Sequence, residues 1–346
     1  MLNELSNSLK QGKDLEPSEI TSAIDALVSD VDSVEVKARF LSALAEKGES
    51  VEEIAGFASQ LRSKAVTPIL DYTVRQSTIL DVCGTGGDHQ NTFNISTTVA
   101  ILAAAAGVYV AKHGNRAVTS KSGSADVLEA LGIPVDLPPE EAAVSLKEHG
   151  FVFLFAPHYH PAFKHIVPAR KLCAANGQRT IFNFLGPLLN PLMPSAQLIG
   201  VPKPEICGKL GKVLQSIGVT RGMVVCGEVG DGGHLDEFST VGVNHVAEFY
   251  QDCGFHDSIM SPESFPIAKA SIQDLEGGDA GENAEVIRKL FQGKLKGPKL
   301  DAVLLNAAAA LFVAGRASSM VEGWELASNV LESGQAWDKL QNLSLT

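Results

Sequence analysis

Residues able to do chemistry crowd into one stretch, Asp81 to Asp126, and recur in one acidic pair far downstream. The stretch holds Gly84-Thr85-Gly86-Gly87-Asp88, then Asn94-Ile95-Ser96-Thr97, then Lys112-His113-Gly114-Asn115-Arg116, and finally Ser122-Gly123-Ser124-Ala125-Asp126. Glycines let backbone N–H groups approach an anion closely, and a helix that starts just after them offers unpaired N–H groups and a positive dipole end. Lys112 and Arg116 add fixed cations. The chemistry this pattern supports is phosphate binding. The spacing fits neither the dinucleotide-binding glycine fingerprint nor the P-loop, whose Lys and Ser/Thr directly follow the loop, so a dehydrogenase or nucleotide kinase is disfavoured. Downstream, Asp236-Glu237 supplies adjacent hard oxygen ligands of the kind Mg²⁺ uses together with substrate phosphates. Alone, such a pair reads as a solvated loop.

The elements needed to position these groups are legible around them. Thr78 to Val82 is a short apolar run, Ile95 to Ala106 an apolar helical run and Val108 to Val110 a second β-branched run ending at Lys112. That predicts strand, glycine loop, helix, strand. Helices are expected at Ala125–Leu131 and Pro139–His149, a strand at Phe151–Phe155, helices near Ile166–Ala175 and Pro204–Ser216, and a strand at Gly222–Cys226. This alternation indicates an α/β domain with a mostly parallel sheet, whose ligands bind outside the carboxyl ends of the strands. Residues 230–300 are expected to be strands and loops, with a closing helix from Asp301 to Ala314.

Upstream, residues 1 to about 70 read as short amphipathic helices. Ile20, Ala23, Ile24, Leu27 and Val28 make one stripe after Pro17-Ser18; Val36, Phe40, Leu41 and Leu44 make a second that stops at Gly48; Ser50-Val51-Glu52-Glu53 is a capping-box signature for a third. Three such helices bury little alone, so they must pack on something else.

Composition bounds the rest. The 346 residues suffice for a large and a small domain, with 45% apolar and 20% charged residues as in ordinary soluble proteins. A net charge of −12, from 28 basic and 40 acidic residues, argues against nucleic acid as the main partner. Cys83, Cys173, Cys207, Cys226 and Cys253 are scattered without a CxxC pair, which predicts reduced thiols in a cytoplasmic protein and no zinc site. The N-terminus lacks a signal-peptide pattern, and the longest apolar run, Val99 to Ala111, is too short to span a bilayer. His113, His158, His160 and His165 are expected in structural or pocket-lining roles, because His158-Tyr159-His160 is not followed by a carboxylate at ligand spacing.

Taken in order, these motifs resemble anthranilate phosphoribosyltransferases of tryptophan biosynthesis. The resemblance extends to His160-Pro161-Ala162, Arg179-Thr180-Ile181-Phe182-Asn183, Gly186-Pro187-Leu188, Asn190-Pro191, Asp236-Glu237 and Asn306-Ala307-Ala308. It implies a helical subdomain over 1–70 that makes a homodimer contact with helices near 165–176, and an α/β domain over 75–346. It also implies Mg²⁺-dependent transfer of the phosphoribosyl group of phosphoribosyl pyrophosphate to the amino group of anthranilate, without an acid–base residue. The matching donor-binding positions are Gly84, Gly87, Asp88, Thr92, Asn94, Ser96, Thr97, Lys112, Asn115, Ser120 and Ser124, with Lys112 and the metal stabilising charge. Asp88 would act through the ribose or a hydrated metal. The acceptor positions are Gly84, Asn115 and Arg170, and the metal positions are Ser96, Asp236 and Glu237. Two departures from the family pattern stand out: a longer segment between Arg170 and Arg179, and the glycine-rich approach Val229-Gly230-Asp231-Gly232-Gly233 to the acidic pair. A relative with a different acceptor therefore stays open. So does a non-catalytic nucleic-acid-binding homologue, although the charge speaks against it. A pyrimidine nucleoside phosphorylase fits less well, because its glycine and lysine motifs differ.

Overall fold

The computed structural model describes residues 1–117, 121–250 and 253–345, with Cys253 described by its backbone alone. The first four helices, α1 (Leu2–Lys10), α2 (Pro17–Leu27), α3 (Val34–Lys47) and α4 (Val51–Ser63), form a bundle. Their ends follow local chemistry. Pro17 opens α2, Ser33 accepts from the Val36 amide, Gly48 closes α3 at φ +85°, and Ser50 and Glu53 exchange bonds as a capping box. The helix α1 was not anticipated.

A short helix, α5 (Tyr72–Gln76), leads into an eight-stranded sheet: β1 (Ile79–Gly84), β2 (Tyr109–Gly114), β3 (Phe151–Phe155), β4 (Ala196–Gly200), β5 (Arg221–Gly230), β6 (Gly233–Leu235), β7 (Asn244–Tyr250) and β8 (Cys253–Met260). The order is β3-β2-β1-β4-β5-β7-β8, with β6 paired to β5. Neighbours from β3 through β5 are parallel; β6, β7 and β8 run antiparallel to their partners. The sheet is thus mostly parallel, as expected. Its chain path leaves β1 in one direction toward β2 and β3, then returns to place β4 on the other side of β1. The β1/β4 boundary is therefore the topological switch point, where such sheets open a crevice at their carboxyl ends.

Between strands run α6 (Ile95–Ala105), α7 (Ser124–Leu131), α8 (Pro139–His149), α9 (Ala156–Tyr159), α10 (Val167–Ala175), α11 (Phe182–Leu185) and α12 (Pro204–Ser216). After the sheet come α13 (Ala280–Phe291), α14 (Pro298–Val313), α15 (Met320–Glu332) and α16 (Gln335–Leu343). Two expectations need correction here. Residues 230–300 include the full helix α13, started by Asp279 and Glu282 as a capping box, and α14 is not the closing helix, since α15 and α16 follow it. The glycines at 277, 278, 293 and 297 punctuate helix ends rather than a strand region.

Strand side chains alternate between the two faces of the sheet, with one large core on each and a smaller cluster of Ile79, Ala111, Val152 and Leu154 against α8. Leu80, Val82, Phe151, Phe153, Leu198 and Val225 face one core with α6, α14 and α15, while Ile199, Val224, Cys226 and Phe249 face the other with α12 and the helical bundle. That second core also takes in Ile166 just before α10, Ala169 and Cys173 within it, and Ile181 and Phe182, so the segment 166–182 packs with the bundle although it lies between β3 and β4. Cys83, Cys173, Cys207 and Cys226 are free thiols. Among the described residues, no helix is long and apolar enough to cross a membrane.

Candidate active site

The carboxyl ends of β1 and β4 meet at Gly84 and Gly200, which are register partners, and the Thr85 amide donates to the Gly200 carbonyl at 2.9 Å. The loop after β6 docks directly on them. A methyl group at Gly200 would overlap the Asp236 carbonyl, and one at Gly84 would overlap the Asp236 carboxylate. Both glycines are there for close approach. Gly200 was missed by sequence reasoning, since nothing local marks it and the residue it must admit lies far downstream.

The acidic loop, the glycine loop and the start of α6 then close into one hydrogen-bonded arrangement. The Gly86 amide donates to Asp236 Oδ2 at 2.7 Å, and the Ser96 amide donates to Glu237 Oε1 at 3.2 Å. Lys112 Nζ donates to the Val82 carbonyl at 2.5 Å and to Ser96 Oγ at 3.3 Å. Asp88 lies beside Asp236, whose amide is 3.5 Å from Asp88 Oδ2. Burial, then the charges of Asp88 and Glu237, hold the Asp236 carboxyl well above the usual carboxylate range. Burial likewise pushes Glu237 up to about 7, against the pull of Lys112. Three carboxylates crowded this way are an electrostatic demand for a cation, and their hard oxygens suit a divalent one.

Other predicted positions are placed less directly. Lys112 is fully buried, with 0% exposure, so its ammonium stands beneath the helix start and does not reach solvent. Its expected charge stabilisation therefore acts through Ser96 and Glu237 rather than by open contact. Asn94 is engaged at both ends of its side chain: its Nδ2 donates to the Ser122 carbonyl and its Oδ1 accepts from Asn283 Nδ2 at 2.9 Å. Thr97 is buried and its hydroxyl has no partner among the described residues, and Thr92 forms an isolated bridge with Glu276. Asn115 Oδ1 accepts from the Arg116 amide. Arg116 is bound by Asp126 and Glu129, which pull it away from any ligand, and Ser124 opens α7 against Gly114. Ser120 lies outside the described residues.

Beside this anion-binding end runs a chain of rings that sequence reasoning did not assemble. His113 and His160 meet edge to face with centroids 5.2 Å apart, His160 meets Phe163 at 5.4 Å, Phe163 meets Phe182 at 5.6 Å, and the Arg170 guanidinium lies 5.2 Å from the Phe182 centroid. Arg170 is half-buried, and burial lowers its pKa; no carboxylate pairs with it among the described residues. After Arg170 the chain runs to the end of α10 and a turn at Gly177, φ +70°, and Gln178 Nε2 donates to the Ser42 carbonyl of the bundle at 3.2 Å.

Both histidines of the chain of rings are neutral. Burial lowers His113 to about 3, with His160 adding to the effect, and lowers His160 to about 4; each ring donates to a backbone carbonyl, Gly186 and Leu189 respectively. Their Nε2 atoms have no partner among the described residues. His158 meets Phe155 edge to face, and His165 Nδ1 pairs with Asp30 at 2.7 Å. Because the folded-state pKa of His160 lies below the roughly 6.5 of an unfolded histidine, the unfolded chain takes up the proton first, and stability is lost as pH falls from about 7 toward 4. Urea denaturation at pH 7 and pH 5 should show wild type losing about 2 kcal/mol more than His160→Asn over that interval. Equal losses would mean that the ring titrates in the folded protein as it does in the unfolded chain.

The chain matches two domains of one family over most of its length: the glycosyl transferase family helical bundle domain over residues 3–65 and the glycosyl transferase family a/b domain over residues 76–337. It is 45% identical over 342 residues to an anthranilate phosphoribosyltransferase of Acetivibrio thermocellus, an alignment covering 98% of this chain and 95% of the relative. Among solved structures, the anthranilate phosphoribosyltransferase of Thermus thermophilus superposes with a TM-score of 0.88 at 40% identity, covering 99% of this chain and 98% of the other. The Saccharomyces cerevisiae enzyme in complex with PRPP and Mg gives 0.83 at 27% identity, covering 99% and 96%. On both domains and at full length, the chain belongs to the anthranilate phosphoribosyltransferases of the glycosyl transferase family.

Proposed function

We propose that this protein transfers the phosphoribosyl group of phosphoribosyl pyrophosphate to the amino group of anthranilate. The observation that carries this reading is the junction of an anion-binding loop and three neighbouring carboxylates at the switch point of the sheet, with a chain of rings running from His113 of β2 to an unpaired arginine. The Saccharomyces cerevisiae relative has been solved in complex with PRPP and Mg and with 4-fluoroanthranilate, which supports the same substrates here.

Backbone amides of Gly84 to Gly87 and the start of α6 hold donor phosphates, and Asp88 acts through the ribose or a hydrated cation rather than on phosphate directly. Asp236, Glu237 and Ser96 would hold Mg²⁺. Among the described residues no three histidine, cysteine or carboxylate side chains converge on one point, so the ion would complete its shell with phosphate oxygens and water. When bound it neutralises the leaving diphosphate. Arg170 holds the carboxylate of anthranilate in a guanidinium fork, with the rings of His113, His160, Phe163 and Phe182 lining the way between it and the donor. The aromatic amine, neutral near pH 7, forms the C–N bond to the sugar as the C–O bond to diphosphate breaks, and its proton becomes acidic once attached. No strong base is needed, which agrees with two neutral histidines. The helical bundle, with Val167 and Leu172 of α10 exposed beside it, serves a homodimer in the cytoplasm.

Anthranilate fluorescence should fall when donor and Mg²⁺ are added and stay constant with EDTA. Arg170→Ala should raise the anthranilate KM by about 100-fold, the loss of two charge-assisted hydrogen bonds, with the donor KM unchanged. An unchanged anthranilate KM would remove Arg170 from the acceptor site, and constant fluorescence with wild type would refute the transfer.

A further inference from the structure

Nine residues past Arg170, a second arginine stands free. Arg179 is exposed and has no hydrogen bond or ion pair among the described residues, yet its position is not arbitrary. Its Nη2 lies 3.7 Å from where a β-carbon on Gly87 would stand, nearer than any other atom of the described residues apart from Gly87 and its chain neighbours. Gly87 has φ +86° and sits in the glycine loop that faces the donor. The backbone on both sides of Arg179 is hydrogen-bonded, the Gln178 amide to the Cys173 carbonyl at 3.0 Å and the Thr180 amide to Asn183 Oδ1 at 2.9 Å. A hydrogen-bonded backbone thus places an unpaired guanidinium beside the glycine loop.

The other cations near this loop are already committed. Lys112 is buried on Val82 and Ser96, Arg116 is bound by Asp126 and Glu129, and Lys121 is bound by Glu276. The same glycine loop carries Asp88 and holds Asp236 on its Gly86 amide, with Glu237 beside it, so a diphosphate placed there meets negative charge that a single divalent ion only partly offsets. We infer that Arg179 is a further binding residue for the donor, a guanidinium that grips its diphosphate across the glycine loop. This rests on the donor reading above. It makes the segment Arg170 to Phe182 a reader of both substrates: Arg170 for the acceptor carboxylate and Arg179 for the leaving diphosphate.

The test is calorimetric titration of inorganic pyrophosphate with Mg²⁺ into wild type, Arg179→Ala and Arg179→Lys, followed by donor and acceptor KM values for each. Loss of a charge-assisted bidentate contact should weaken pyrophosphate binding and raise the donor KM by about 10- to 100-fold in Arg179→Ala, with the acceptor KM unchanged. Arg179→Lys should recover part of the affinity, since a point charge replaces a fork. The side chain makes no contact that folding needs, so melting curves of the variants should overlay wild type. Wild-type affinity in Arg179→Ala, or an effect confined to the acceptor KM, would overturn the assignment. Failure of wild type itself to bind pyrophosphate would instead overturn the donor reading on which it rests.

Discussion

Replacing Asp236 with asparagine is expected to lower turnover by about two to three orders of magnitude, the usual loss when a preorganised electrostatic group leaves a site, while raising the melting temperature. The two effects have one cause. Asp236 sits beside Asp88 and Glu237, and burial and those charges hold its carboxyl well above the usual carboxylate range. An asparagine keeps the acceptor that the Gly86 amide uses and removes the repulsion. Since the folded-state pKa is raised above that of an unfolded aspartate, the ionised carboxylate costs stability as pH rises. The variant's advantage should therefore be present at pH 7 and vanish as pH falls toward about 4. Scanning calorimetry without metal at both pH values, set beside kcat at saturating Mg²⁺, checks this. Full Mg²⁺-dependent turnover in the variant, or a melting temperature that drops together with activity, would sink it.

The second large effect is expected at Gly200, through shape alone. Its β4 strand lies between β1 and β5, hydrogen-bonded on both sides, so it cannot retreat from the Asp236 carbonyl that a methyl group would overlap. Gly200→Ala must lift the Asp236-Glu237 loop instead. That breaks the bonds to Gly86 and Ser96, costs about 1–3 kcal/mol as an overpacking change, and weakens Mg²⁺-dependent donor binding about 100-fold. Gly86→Ala is the matched comparison. Gly86 has φ +76° and no atom near a new methyl group, so that variant should lose only about 1 kcal/mol to backbone strain and keep its acidic loop in place. Urea denaturation and donor titration on both variants separate the cases. Equal losses of donor affinity would show that the close approach at Gly200 is not what seats the acidic pair.

These two residues also mark how far the sequence alone reaches. The glycine loop, the start of α6, Lys112 and the capping box at Ser50 were legible because each is a local pattern: a few residues whose backbone needs or hydrogen bonds lie within one turn. The parallel sheet followed from alternating strand and helix runs. Gly200 was not legible, because its demand comes from Asp236, on another strand's loop. The strand it ends, Ala196-Gln197-Leu198-Ile199-Gly200, is too short and too polar at its second residue to announce itself. Gln197 is buried there, donating to the Pro187 carbonyl at 3.0 Å. The same holds for the ring chain from His113 to Arg170, assembled from four separate elements, and for Asn94, whose side chain is held by Ser122 and Asn283 rather than left open. The helices α13, α15 and α16 were missed for another reason. The clustered glycines before α13 read as breaks in a strand pattern, whereas Gly277 and Gly278 lie against Phe93 and Asn283 at the start of α13; α15 and α16 lie beyond the helix that was expected to close the chain at Ala314.

The most direct test of the whole account counts products. Pyrophosphate released and anthranilate consumed should be measured together in one reaction, with Mg²⁺ and then with EDTA. The account predicts equal amounts of each with Mg²⁺, neither with EDTA, and no pyrophosphate release when anthranilate is left out. Pyrophosphate release that does not require anthranilate, or anthranilate loss that survives EDTA, would contradict it.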